Sequence, residues 1–279
     1  MQDQIKKTWF ITGASKGLGL ALVKQLLAAG QNVAATSRNT ADLTKAVGTT
    51  NKNFLPLQVN LANNTAVKQA VAETVNTFGS IDVLINNAGY GIGGSFEELT
   101  DTEIRTAFDV NVFGTINTIR HAMPYMRQQQ SGHIINIASI AGFAAATGWA
   151  PYAATKFAIV GLTEVLADDV RSFGIKATVV APGAFRTSFL TDDSLALPEN
   201  PIAEYADIRS SHERYLTMNG QQAGDPEKAA AVMIATGFNP NPPIHLFLGT
   251  DAYNRALAKI ETLTKEIESL KELTASTDY

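Results

Sequence analysis

Tyr152 and Lys156 stand four residues apart in the stretch "GWAPYAATKFAIVGL", whose other residues are mostly small or apolar. On a helix that spacing stacks two side chains on one face. A phenol beside an ammonium can act as a proton donor with its tuner, because a nearby positive charge favours the phenolate. Any helix also supplies such pairs by accident, so a packed tyrosine next to a solvent-seeking lysine fits the spacing as well. What surrounds the pair in the chain has to separate these readings.

The stretch "WFITGASKGLGLALVKQLLAAG" reads as a strand, a glycine-rich turn and a helix. Gly13, Gly17 and Gly19 permit tight turns and let main-chain N–H groups approach a phosphate, toward which the helix points its positive end. At the end of the next apolar run, "AATSRNT", stand Ser37 and Arg38, with no acid between Thr36 and Thr40. A strand that binds NAD carries an acid here for the ribose 2′-hydroxyl, whereas an arginine accommodates a 2′-phosphate. Arg38 can grip that phosphate bidentately, and Lys16 in the glycine loop adds a second positive charge. The pattern points to NADP(H). A strand-end arginine with no ligand is the plainer alternative.

Composition narrows the classes further. The 279 residues are 45% hydrophobic and 17% charged, with a formal net charge of −4. That length suits one large α/β domain or two small ones, and the charge gives no basic surface for nucleic acid. There is no cysteine, hence no disulfide, thiolate metal site or cysteine nucleophile. His121, His133, His212 and His245 lack metal-ligand spacing, so no metal is expected. The start, "MQDQIKKTWFITGAS", has too short an apolar run for a signal peptide, and no window approaches the ~20 apolar residues of a membrane span. A soluble, cytoplasmic protein with no membrane partner is expected.

The elements that must position these residues alternate. Apolar runs at 8–12, 32–37, 54–59, 82–87, 132–139, 176–182 and 244–249 are mostly continuous, as in strands covered on both faces. Helical patterns lie between them, so the fold class is α/β with a doubly wound parallel sheet. Thr100 and Glu103 fit a capping box; Asp225 and Pro226 fit an N-cap and first helical position. Residues 188–222 follow neither period and read as an irregular insertion, either an active-site lid or plain packing. The tail at 250–279 reads as a charged helix, most simply a solvated one and secondarily a contact for a partner subunit.

With the glycine loop, "NNAG" at 86–89 and the Tyr152/Lys156 pair in this order, the chain resembles the single-domain branch of the short-chain dehydrogenase/reductase (SDR) family over residues 7–249. The resemblance implies one NADP-binding Rossmann domain over residues 1–279, with its site at the carboxyl ends of the strands. Thr12, Gly13, Ser15, Gly17, Leu18 and Gly19 would form the cofactor loop. Asn60 stands where the family commonly has an aspartate near the adenine, followed by Leu61; an amide oxygen can still accept from the adenine amino group. Asn87, Ala88 and Gly89 would line the cofactor, and Pro182, Gly183 and Thr187 would pass beside the nicotinamide. Asn111, Ser139, Tyr152 and Lys156 match the catalytic set.

The roles implied are those of a carbonyl reductase, reversibly an alcohol dehydrogenase. Tyr152 would exchange the proton, and Lys156 would lower its pKa and hold the nicotinamide ribose. Ser139 would orient the substrate oxygen, and Asn111 would position a water that links Lys156 to solvent. Two other readings stay open. An epimerase or dehydratase of the same fold would be expected to carry a different glycine spacing and a larger C-terminal domain. A non-catalytic NADP sensor would be free to lose the tyrosine or lysine. Ala141, Phe143, Trp149, Phe185, Phe189 and Leu190 are candidate pocket residues for a hydrophobic ketone or aldehyde, or else core packing. Many relatives pair through helices corresponding here to 100–127 and 152–172, so a homodimer or homotetramer is expected, which the C-terminal helix could alter or block.

Overall fold

The computed structural model describes residues 5–49 and 51–279; the first four residues of the polar N-terminal start lie outside that range. The strands are β1 (Thr8–Ile11), β2 (Asn32–Ser37), β3 (Phe54–Gln58), β4 (Val83–Asn86), β5 (Gly91–Ile92), β6 (Gly132–Ile137), β7 (Ile175–Pro182), β8 (Leu195–Ala196) and β9 (His245–Leu248). Seven of them, one for each apolar run, form a parallel sheet in the order β3-β2-β1-β4-β6-β7-β9. β5 and β8 are two residues each and pair in parallel as a separate ribbon.

Consecutive β1 residues face opposite sides of the sheet and enter different cores. Trp9 and Ile11 lie with Leu22, Leu26, Val33 and Met233 under α1 (Gly17–Ala28), α2 (Thr40–Val47) and α8 (Pro226–Phe238). Phe10 lies with Leu84, Met126, Ile134 and Ile175 under α3 (Asn64–Phe78), α5 (Gly114–Gln129) and α6 (Ala150–Asp169). Burial on both faces explains why the strand runs show no alternation. Among the described residues, no helix is long and apolar enough to cross a membrane.

Local signals start two helices where expected. Thr100 caps α4 (Asp101–Phe108), accepting from the Glu103 N–H (3.2 Å) while the Glu103 carboxylate accepts from the Thr100 N–H (2.7 Å). Asp225 accepts from the Glu227 N–H (2.8 Å), with Pro226 opening α8. The helix over 100–127 runs without a break, with a π turn at Asp109–Phe113 between α4 and α5 (Gly114–Gln129). One expectation is corrected. Residues 188–222 are not irregular throughout, since they contain α7 (Ala206–Thr217). The buried residues of α7 are Ser211 and His212, so its inward face is polar and leaves no apolar period to read. α9 (Thr250–Ser269) and α10 (Lys271–Ala275) form the tail.

Strand order reverses on either side of β1 and β4, and ligands of such sheets bind outside the carboxyl ends at that point.

Candidate active site

The loop after β1 is tied to the loop after β4. The Thr12 hydroxyl accepts from the N–H groups of Asn87 and Ala88, and the Asn87 amide donates to the carbonyls of Thr12 and Gly13, all at 3.0 Å. Gly13 has φ +65°, and a Cβ there would lie 2.7 Å from the Ala88 Cα. The loop therefore needs glycine for both conformation and close approach. α1 starts with no side-chain cap, whereas Asn39, Asn63 and Thr100 cap α2, α3 and α4. Its first N–H groups are left for an anion, which fits a nucleotide phosphate.

From this loop a cleft of ≈1020 Å³ runs along the strand ends to α7. Single small-molecule sites occupy ~300–1,000 Å³, so a cofactor and a substrate fit end to end. Gly13, Ser15, Lys16, Gly17, Leu18, Ser37, Arg38, Asn60 and Leu61 line one half. Thr12 and Gly19 do not line it; they hold the loop from behind. Among the described residues no carboxylate pairs with Arg38. The Lys16 ammonium donates to the Asp193 carbonyl (3.3 Å), across the cleft in the 188–222 segment. The Asn60 side chain accepts from the Ala62 N–H (3.1 Å).

Asn87, Ala88, Gly89, Ser139, Tyr152, Lys156, Pro182, Gly183 and Thr187 line the middle. Tyr152 sits in the first turn of α6, opened by Pro151, and is 7% exposed. The Ser139 hydroxyl accepts from the Ala141 N–H (3.1 Å) and shares a hydrogen bond with the Tyr152 phenol. The Lys156 ammonium donates to the Ile137 carbonyl (3.0 Å) and lies 5.8 Å from the Tyr152 ring centre. Burial pushes the phenol up to about 12, with the Ser139 hydrogen bond opposing. Burial likewise pushes Lys156 down to about 8. In the protein alone, desolvation rather than the lysine sets the direction of the phenol's shift.

Asn111 lies in the π turn, behind the wall. Its carbonyl oxygen accepts from the Tyr90 N–H (3.0 Å), and its amide donates to the Tyr90 carbonyl (3.0 Å) and the Thr155 hydroxyl (3.1 Å). Thr155 donates in turn to the Tyr152 carbonyl (2.7 Å). Asn111 thus ties the segment after β4 to the Tyr152 turn. Gly89 is squeezed between, since a Cβ there would lie 3.0 Å from the Asn111 oxygen and 3.4 Å from the Lys156 ammonium.

Ala141, Trp149, Phe189 and Leu190 line the far end, and Phe185 lines the cleft nearer the glycine loop, packed on the cluster under α1. Phe143 does not. The turn at Ile140–Gly142 carries it away, onto Phe247 (ring centres 5.3 Å) and the Ala252/Ala256 cluster. Phe189 lies 5.7 Å from the Tyr152 ring, and Trp149 sits 5.1 Å from both His212 and Tyr215 of α7. Tyr90, Tyr215, Met218, Asp251 and Arg255 line the cleft without having been foreseen. Asp251 and Arg255 stand in the tail whose charges read as solvated, and no local signal sets them apart.

α7 is held over the cleft by buried polar contacts. The Glu98 carboxylate, with no side-chain exposure, accepts from Arg209 (2.5 Å), the Ile202 N–H (2.9 Å) and the Ser95 N–H (2.8 Å). Burial alone would raise this carboxyl, but the hydrogen bonds from Ser95, Ile202 and Arg209 hold it down to about 2. Ser211 and His212 donate to the carbonyls of Thr147 and Gly148 (2.8 and 2.9 Å), next to Trp149. Among the described residues no group of three or more His, Cys, Asp or Glu side chains could hold a metal ion.

Known proteins resemble this chain over most of its length. The family model described as short chain dehydrogenase matches residues 7–196. Oxidoreductase BOA17 of Botryotinia fuckeliana is 35% identical over 96% of this chain and 97% of its own. The 3-ketodihydrosphingosine reductase of Bacteroides thetaiotaomicron is 34% identical over 89% of each chain. The crystal structure of a short-chain dehydrogenase from Streptomyces avermitilis superposes with a TM-score of 0.90 at 33% identity, covering 99% of this chain and 100% of that one.

Proposed function

Since the chain belongs to the short-chain dehydrogenase family, we propose that it is an NADPH-dependent oxidoreductase acting on a hydrophobic ketone or aldehyde and, in reverse, a secondary alcohol. One observation carries this reading: a buried phenol, a hydroxyl and an ammonium share one wall of a cleft whose other half ends in a phosphate-ready helix terminus. The nicotinamide nucleotide supplies the hydride. Gly13, Ser15 and Gly17 with the open end of α1 hold its phosphates, and Arg38 holds a 2′-phosphate. Asn87, Ala88 and Gly89 offer their small surface to its body.

The Ser139 hydroxyl donates to the substrate oxygen and orients it beside the phenol. Tyr152 gives that oxygen its proton in reduction and takes it back in oxidation. With its phenol raised to about 12, Tyr152 carries the proton throughout the neutral range, the state reduction needs. Lys156 remains mostly charged at neutral pH and stabilises the phenolate left behind. Asn111 acts through Tyr90 and Thr155, holding both sides of the reacting groups in register. The apolar ring walls from Trp149, Phe189 and Tyr215 support a hydrophobic carbonyl substrate, as does the likeness to a reductase of a keto compound.

The test is NADPH oxidation with a panel of aldehydes and ketones, for the native chain and Tyr152→Phe. The variant should still bind NADPH yet lose at least ~10²-fold in turnover. Near-normal turnover would remove Tyr152 as the acid, and no turnover by the native chain on any carbonyl would remove the reading itself.

A further inference from the structure

α9 begins at the cleft and ends far from it. In its first turns Asp251 accepts from the Ala184 N–H (2.8 Å), and Arg255 donates to the Ala144 carbonyl. Ala252 and Ala256 are seated against Ile140, with Phe143 and Phe247 packed on them. Past Ala256 the helix leaves the body, and every residue from 257 to 279 is exposed.

The apolar pattern does not stop there. Ala256, Ile260, Leu263, Ile267 and Leu270 follow one another at steps of four and three, the spacing of a coiled-coil seam. The stripe that seats the first turns on the body therefore continues for three more side chains of α9 and for Leu270 at its C-cap. Ile260 is 48%, Leu263 43%, Ile267 63% and Leu270 44% exposed. A solvated helix has no use for such a seam.

We propose that this stripe is an interface with a second copy of the chain, whose α9 lies against it antiparallel. The direction follows from the body. In a parallel pair the partner's first turns would enter the space beside Ala252 and Ala256, which Ile140, Phe143 and Phe247 already fill. An antiparallel pair places the two bodies at opposite ends. It also gives matched layers: Ile260 meets Leu270 of the partner subunit, and Leu263 meets Ile267 of the partner subunit, each repeated by the two-fold axis. Four such layers bury on the order of 1,000 Å² in total, near the lower bound of a specific interface. Residues 257–273 carry three lysines and four glutamates. That near-balance lacks the cationic face an anionic lipid surface would select, whereas a second copy brings the same stripe in matching layers.

Light scattering on the full chain and on an Ile260→Asp/Ile267→Asp variant tests the interface. The variant should have half the native mass, with unchanged far-ultraviolet circular dichroism of the body. Orientation is read by cross-linking, which the absence of native cysteine makes clean. Leu263→Cys co-expressed with Ile267→Cys should form a disulfide between chains more readily than either variant does with itself. A native monomer, or a mass that the double variant leaves unchanged, overturns the interface. Leu263→Cys linking to itself as readily as to Ile267→Cys overturns the antiparallel arrangement. The proposal rests on no part of the catalytic reading.

Discussion

Burial moves Tyr152 and Lys156 in opposite directions, the phenol up to about 12 and the ammonium down to about 8. Each shift disfavours the charged form, because neither side chain keeps its hydration shell. The consequence for catalysis falls on the lysine. Its charge is present below about pH 8 and is lost above it, while Tyr152 keeps its proton across the same range. Reduction should therefore decline roughly tenfold per pH unit above that point. A kcat/KM profile for ketone reduction checks this, and a flat profile up to about pH 10 would contradict it. Lys156→Arg, charged throughout, should move the falling limb to higher pH. The pair itself was legible in the sequence because four-residue spacing on a helix is local geometry. The partners of Asn111 were not, since Tyr90 and Thr155 reach it only through the fold.

At the scale of elements, α7 and the segment before it are clasped by Glu98. With its carboxyl held down to about 2, Glu98 contributes stability that is full above the ordinary carboxylate range. That contribution is lost as pH falls toward 2, because the unfolded chain takes up the proton first. Denaturant midpoints measured from neutral to acid pH should fall less steeply for Glu98→Gln than for the native chain. Arg209→Met leaves the buried carboxylate without its counter-charge and should destabilise by about 2 kcal/mol or more. The same variant should raise KM for the ketone more than KM for NADPH, since α7 packs on Trp149 in the cluster that holds Tyr152 and Phe189, away from the glycine loop. Equal loss for both substrates would mean that α7 does not shape the pocket. Hydrophobic period finds helices that bury apolar faces, and α7 buries a serine and a histidine instead. β5 and β8 escaped for a different reason: two residues carry no period, and their pairing spans about a hundred positions.

For the whole molecule, a ligand that binds only the folded state stabilises it in proportion to its saturation. NADPH at about a hundred times its Kd should add ~2.7 kcal/mol to the stability of the native chain. NADH at the same concentration should add less, because Arg38 has no 2′-phosphate to hold. Arg38→Asp should reverse the order of the two nucleotides in a thermal melt. An unchanged order would show that Arg38 does not anchor a phosphate. The charge balance of the chain gives no general attraction for polyanions, so the difference belongs to this one site.

By itself the sequence determined the seven sheet strands, most helices, the glycine-rich turn and the four-residue spacing of Tyr152 and Lys156. These depend on periodicity, on capping and on glycine, all of which act within a few residues. Only the tertiary structure decided that Phe143 turns away from the cleft while Asp251 and Arg255 enter it. It also decided that Thr12, Gly19 and Asn111 serve from behind the wall, and that Glu98 holds a helix more than a hundred positions later. Each of these is set by which distant backbone segments meet at the strand ends. No short window of sequence records such a meeting.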